Sequence, residues 1–136
     1  MINNWTNITA STLRSYLDQE QLDFLSQNNA EIVQTLIEDT CTNIQAWIPL
    51  TLKPKKLAGN TIPRACQKQA CHLIIEALHT RLPDLELSAT QRQNAQHARQ
   101  ELQALEQHWQ NNQQWIRFES VRFREHDANT QALQGL

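Results

Sequence analysis

The sequence predicts an all-α fold, a helical bundle of three long helices preceded by a short helical pair and followed by a C-terminal β-like arm. Apolar residues recur at three- and four-residue steps through most of the 136-residue chain. Asn, Asp, Ser and Thr stand where those periodic segments begin, and Pro stands where they end. From Trp115 onward the period changes to two. These observations place the domain boundary between a helical unit over 1–112 and an arm over 113–136.

Residues 1–8 are polar and expected to be extended, with Trp5 and Ile8 available as anchors. Thr9 caps a short helix running to Leu17, and Asp18 caps a second. Leu17, just before that cap, and Leu22, four residues after it, have the spacing of a hydrophobic staple, which fixes the angle between the two helices. Asn28 followed by Glu31 opens the first long helix, whose stripe is Val33, Leu36, Ile37, Cys41, Ile44 and Trp47. Ile48 ends it, because a residue before proline is pushed out of helical geometry.

Residues 49–61 hold two prolines, Gly59 and the cluster Lys53, Lys55 and Lys56, the composition of a loop. Residues 62–82 form the most apolar stretch and the central helix, with Pro63 in its first turn and Pro83 as its stop. Leu73, Ile74 and Ile75 are consecutive, so this helix expects neighbours on more than one side. Ser88 and Gln91 have the spacing of a capping box for the last long helix, which buries a narrow stripe of Ala95, Ala98, Leu102, Leu105 and Trp109.

Beyond it, Ile116, Phe118, Val121 and Phe123 alternate with Arg117, Glu119, Arg122 and Arg124. One slip near Glu119 and Ser120 fits a strand with a bulge or a turn. Such a strand has to pair with itself as a hairpin, with the loop over 49–61, or with another copy of the chain.

Composition narrows the classes of function. A net charge of -2 gives no general attraction to nucleic acid or to an anionic membrane. Charged residues are only 19%, so Gln and Asn make up much of the polar surface. Three cysteines, Cys41, Cys66 and Cys71, fall among apolar helical positions, the habit of buried reduced thiols in a cytoplasm. No stretch has the ~20 apolar residues of a membrane span, and the segment MINNWTNIT lacks the features of a secretory signal.

No catalytic, cofactor or metal site is expected. Cys66 and Cys71 are five residues apart, which points them in divergent directions on a helix, and His72 and His79 complete no ligand set with them. Glu76 and His79 form one Glu-x-x-His, but the facing helix lacks the second pair that a di-metal bundle needs. No GxSxG elbow occurs, and two glycines, Gly59 and Gly135, cannot build a phosphate cradle. The mixed aromatic and basic set Trp115, Arg117, Phe118, Arg122, Phe123 and Arg124 suits single-strand binding in part, but Glu119, Glu125 and Asp127 dilute its charge, so an interface between copies is the preferred reading.

The order of elements resembles the Mu-like prophage head–tail connector family of small helical phage adaptor proteins. The residues that carry the likeness are Trp5, Ile8, Thr9 and Leu13, then Leu22 and Leu25, the helix from Ala30 to Trp47, Ile62 and Pro63. Arg92, Ala95, Ala98 and Leu102 continue it, as do Leu133, Gly135 and Leu136 in the ending VRFREHDANTQALQGL. Ala46-Trp47-Ile48-Pro49-Leu50 departs from the family pattern, which has an Arg-Tyr-x-Leu-Pro type motif there.

The resemblance implies a structural role without enzymatic activity. It implies a ring below the portal, homo-oligomeric on assembly, in contact with portal and tail-completion proteins. The setting it implies is a virion assembled in the bacterial cytoplasm, with no membrane and no sequence-specific nucleic acid as partner. The expected contact residues are Lys53, Lys55 and Lys56 in the loop and Trp115, Arg117, Phe118, Arg122, Phe123 and Arg124 in the arm. The alternative is a small helical regulatory or DNA-binding protein that uses the short pair as a helix-turn-helix. Asp18, Glu20 and Asp23 put the wrong sign beside phosphates for that role.

Overall fold

A computed structural model describes Ile2 and residues 4–125, with side chains described as far as Asn111. The chain is mostly helical and contains one small antiparallel sheet of two strands. In order, the elements are β1 (Trp5–Asn7), α1 (Ala10–Leu13), α2 (Gln19–Ser26), α3 (Ala30–Trp47), β2 (Thr61–Pro63), α4 (Gln67–Thr80) and α5 (Ala89–Glu125). Short 3₁₀ turns at Leu50–Leu52 and Arg64–Cys66 lead out of α3 and into α4.

The short pair begins as its caps dictate. The Thr9 hydroxyl accepts from the Thr12 backbone N–H, and Asp18 accepts from that of Gln21 at 2.8 Å, each satisfying a donor of the first turn that has no partner within the helix. α1 lasts a single turn and is shorter than the helix expected to reach Leu17, yet Leu13 and Leu17 are both buried. Gln27 and Asn28 are consecutive left-handed residues, with φ of 56° and 58°. They reverse the chain after α2, and the Asn28 N–H bonds the Asp23 carbonyl at 2.8 Å. Because Asn28 is used in that reversal, the cap of α3 falls one residue later than expected. Asn29 supplies it, its side chain accepting from the Glu31 N–H at 3.0 Å. Ile48 ends α3 in an extended conformation before Pro49.

The sheet is absent from the sequence-based expectation, which left 49–61 as a loop and began the central helix at Ile62. Trp5 pairs with Pro63, Thr6 with Ile62 and Asn7 with Thr61. Flanking bonds extend the seam: the Ile8 N–H donates to the Asn60 carbonyl at 2.9 Å and the Arg64 N–H to that of Asn4 at 2.9 Å. Pro63 therefore ends a strand instead of occupying the first turn of α4, a position where its missing N–H is equally harmless.

α4 lies between α3 and α5. Ala70, Cys71, Ile74, Ile75 and Leu78 along it are buried, as the apolar run around Leu73, Ile74 and Ile75 required. Each of the large aliphatic side chains contributes roughly 1.5–3 kcal/mol on leaving water. The course of the three helices alternates. The Arg81 guanidinium, just past α4, reaches the Leu25 carbonyl at the end of α2, just ahead of α3, while Gln69 at the start of α4 bonds Glu101 well along α5. Ala95 and Ala98 are buried on α5, which lets it approach α4 closely.

α5 opens with the capping box that the sequence marks. The Ser88 N–H donates to Gln91 Oε1 and the Gln91 N–H to Ser88 Oγ, both at 3.1 Å. The backbone is helical to Glu125, through the segment from Trp115 to Arg124 for which the sequence pattern suggests a β-like arm. The apolar residues there also fit the other period, since Trp115, Phe118 and Val121 are three apart and Ile116 and Phe123 are seven apart. A run this short does not separate the two periods. Leu133, Gly135 and Leu136 lie outside the described residues.

Candidate functional site

The loop lysines sit on a platform held from below. Gln45 Nε2, on α3, donates to the carbonyls of both Ala58, at 2.8 Å, and Thr61, at 2.6 Å. The Ile2 N–H bonds the Leu52 carbonyl at 3.2 Å, tying the N-terminal segment to the same loop. Lys55 and Lys56 are exposed and Lys53 is half-buried. Leu50, beside them, is 83% exposed, an apolar knob among cations.

The other expected contact residues, Trp115, Arg117, Phe118, Arg122, Phe123 and Arg124, lie on the helical backbone of α5, and their side chains are outside the described ones. Both sets belong to one end of the molecule. Trp47 closes α3 just before the lysine loop, and Trp109 stacks on it, so α5 passes the loop's end of the body and continues. At 1.5 Å per residue the 37 residues of α5 span about 55 Å, against about 27 Å for the 18 of α3. The helix outruns its partners.

A second feature lies at the opposite end. An open-sided groove of about 570 Å³ runs between α2, the end of α4, the connection after it and the first turn of α5. Leu17, Phe24, Leu25 and Leu85 give it an apolar lining, with Glu20 and Glu86 as its acidic groups. Phe24 is 64% exposed. His79 also lines the groove, and neither of its buried ring nitrogens meets a hydrogen-bond partner. Burial lowers its pKa from the usual 6.5, which keeps the imidazole neutral at pH 7.

Sequence reasoning missed this groove, because its walls come from four separate stretches of chain. The one local signal was Phe24, a large aromatic off the buried stripe of Leu22 and Leu25.

The residues weighed for metal or nucleophilic chemistry are dispersed. Among the described residues, no group of three or more His, Cys, Asp or Glu is placed to hold a metal ion. Glu76 pairs with Arg99 across the contact of α4 with α5, and His72 meets the Tyr16 ring edge-on, with centroids 5.1 Å apart. Burial pushes the thiols of Cys41, Cys66 and Cys71 up to about 12, reinforced by Glu38 for Cys41 and by Cys41 for the other two. Thiols held there are poor nucleophiles at neutral pH. Among the described residues, no helix is long and apolar enough to cross a membrane.

No family model matches the chain, and no curated protein and no solved structure matches it significantly.

Proposed function

We propose that the protein is a structural component of a phage or prophage virion, a head–tail connector that assembles as a ring below the portal and acts by contact without catalysis. The observation that carries this reading is α5, a helix about twice the length of α3 that continues past the Trp47–Trp109 pair. A helix that outruns the elements it packs on offers surface to other molecules.

The exposed Leu50 and the lysine loop at the same end add a basic and apolar patch. In this reading α3, α4 and α5 are the bundle, α1 and α2 the short pair, and 113–136 the arm that engages portal and tail-completion proteins. A heterologous contact repeated with rotation closes a ring. The dispersed sequence resemblance supplies the virion setting and assembly in the bacterial cytoplasm. The DNA-binding alternative draws less support, since α2 carries Glu20 and Asp23 and no Lys or Arg.

The test is cosedimentation with tail-less portal particles of the phage or prophage that encodes the chain. The protein is expected to pellet with them, and Lys55→Glu/Lys56→Glu together with Arg122→Glu/Arg124→Glu is expected to abolish pelleting. A native protein that stays in the supernatant would overturn the reading.

A further inference from the structure

We infer that the groove between α2, the end of α4 and the start of α5 is the docking site for the distal part of α5 from a second copy of the chain. This deepens the connector reading by naming the contact between copies, and it rests on that reading for its setting alone.

Three observations converge on that occupant. The groove is incomplete, since Phe24 is a large aromatic left 64% exposed at its wall. The groove is also of one sign, because Glu20 and Glu86 line it and no Lys or Arg does.

The distal stretch of α5 has the complementary chemistry. It combines Trp115, Phe118 and Phe123 with Arg117, Arg122 and Arg124, against Glu119 and Glu125. A basic, aromatic-rich helix laid on an apolar groove with an acidic rim is a recurrent mode of recognition.

Geometry decides that the helix comes from another molecule. Gln91, in the first turn of α5, lines the groove. Arg117 lies further along the same helix by about 39 Å, at 1.5 Å per residue. A continuous helix cannot bend back onto its own start, so groove and distal helix meet between copies. Each copy then gives a helix to one neighbour and a groove to the other, a head-to-tail contact that forms a ring when its rotation closes.

The experiment is sedimentation velocity on the full chain over a range of concentrations at low salt. Native protein is expected to self-associate. Glu20→Arg/Glu86→Arg, Arg122→Glu/Arg124→Glu and Phe24→Ser are each expected to weaken association by about tenfold or more. An equimolar mixture of the two charge-reversed variants is expected to regain larger, alternating assemblies, because the native helix of one fits the native groove of the other and the two reversed surfaces fit each other. Combining all four reversals in one chain is expected to restore larger assemblies, a result that misfolded variants cannot give. Native protein that is monomeric up to about 1 mM, a concentration at which even weak specific contacts populate, overturns the inference, as do variants that associate like native. Portal binding by a protein that stays monomeric would remove this contact and spare the connector reading; self-association without portal binding would do the reverse.

Discussion

Trp109 lies against Trp47 with ring centroids 5.6 Å apart and planes inclined by 25°. The pair fastens α5 to the last residue of α3, at the point where α5 leaves the body. Trp109→Ala is expected to cost about 2 kcal/mol, combining lost apolar burial with the lost ring contact. Urea unfolding followed by circular dichroism measures it. A variant as stable as native would mean that the stack holds nothing in solution.

Gln45 carries a different load, because one amide nitrogen satisfies the carbonyls of both Ala58 and Thr61. Gln45→Ala is expected to lower stability by about 1 kcal/mol. Its clearer signature is local: amide exchange over 50–60 should accelerate while α4 keeps its protection. Uniform acceleration would mean that the loop is not separately anchored.

Ala95 and Ala98 set the approach of α5 to α4, the first 0% and the second 1% exposed. Ala98→Leu inserts a side chain where there is no room and is expected to cost about 1–3 kcal/mol. Ala98→Gly, which relieves no crowding, should cost only about 1 kcal/mol through helix propensity. A leucine variant that melts with native protein would show that the two helices can separate freely.

His72 and His79 both titrate below the usual 6.5. Burial is the main cause for each, and for His72 the Lys68 cation adds to it while Glu101 opposes it. The folded chain therefore binds fewer protons than the unfolded chain as pH falls past 6.5. The stability tied to these neutral rings is complete above that pH and is lost progressively below it. Melting temperature is expected to hold between pH 8 and 7 and to decline toward pH 5. His72→Gln/His79→Gln should flatten that decline, and an unchanged slope in the double variant would assign it to other groups.

The parts of the fold that were legible in the sequence are those written within a few residues. Asp18 with Gln21, and Ser88 with Gln91, announce helix starts because both partners of each cap lie in one turn. Ile48 before Pro49 announces a stop for the same reason. Asn28 and Asn29 show the limit, since either can cap and the choice depends on which one adopts a left-handed turn. The sheet was not legible: three residues at Trp5–Asn7 are too few to show alternation, and their partners at Thr61–Pro63 lie far along the chain. The groove escaped for a related reason, because no single segment contains more than part of its lining. At Ile116, Phe118, Val121 and Phe123 two periods fit the same few residues, and the backbone adopts the helical one.

The seam between Trp5–Asn7 and Thr61–Pro63 sets an order of events at the ribosome. Three helices are translated between its two halves, so the first strand must wait, unpaired, while α1, α2 and α3 emerge. At about 5–20 residues per second that wait lasts on the order of 3 to 11 s. Until residue 63 clears the exit tunnel the apolar Trp5 and Ile8 lack their partner strand, which leaves that end of the nascent chain open to chaperone capture or mispairing.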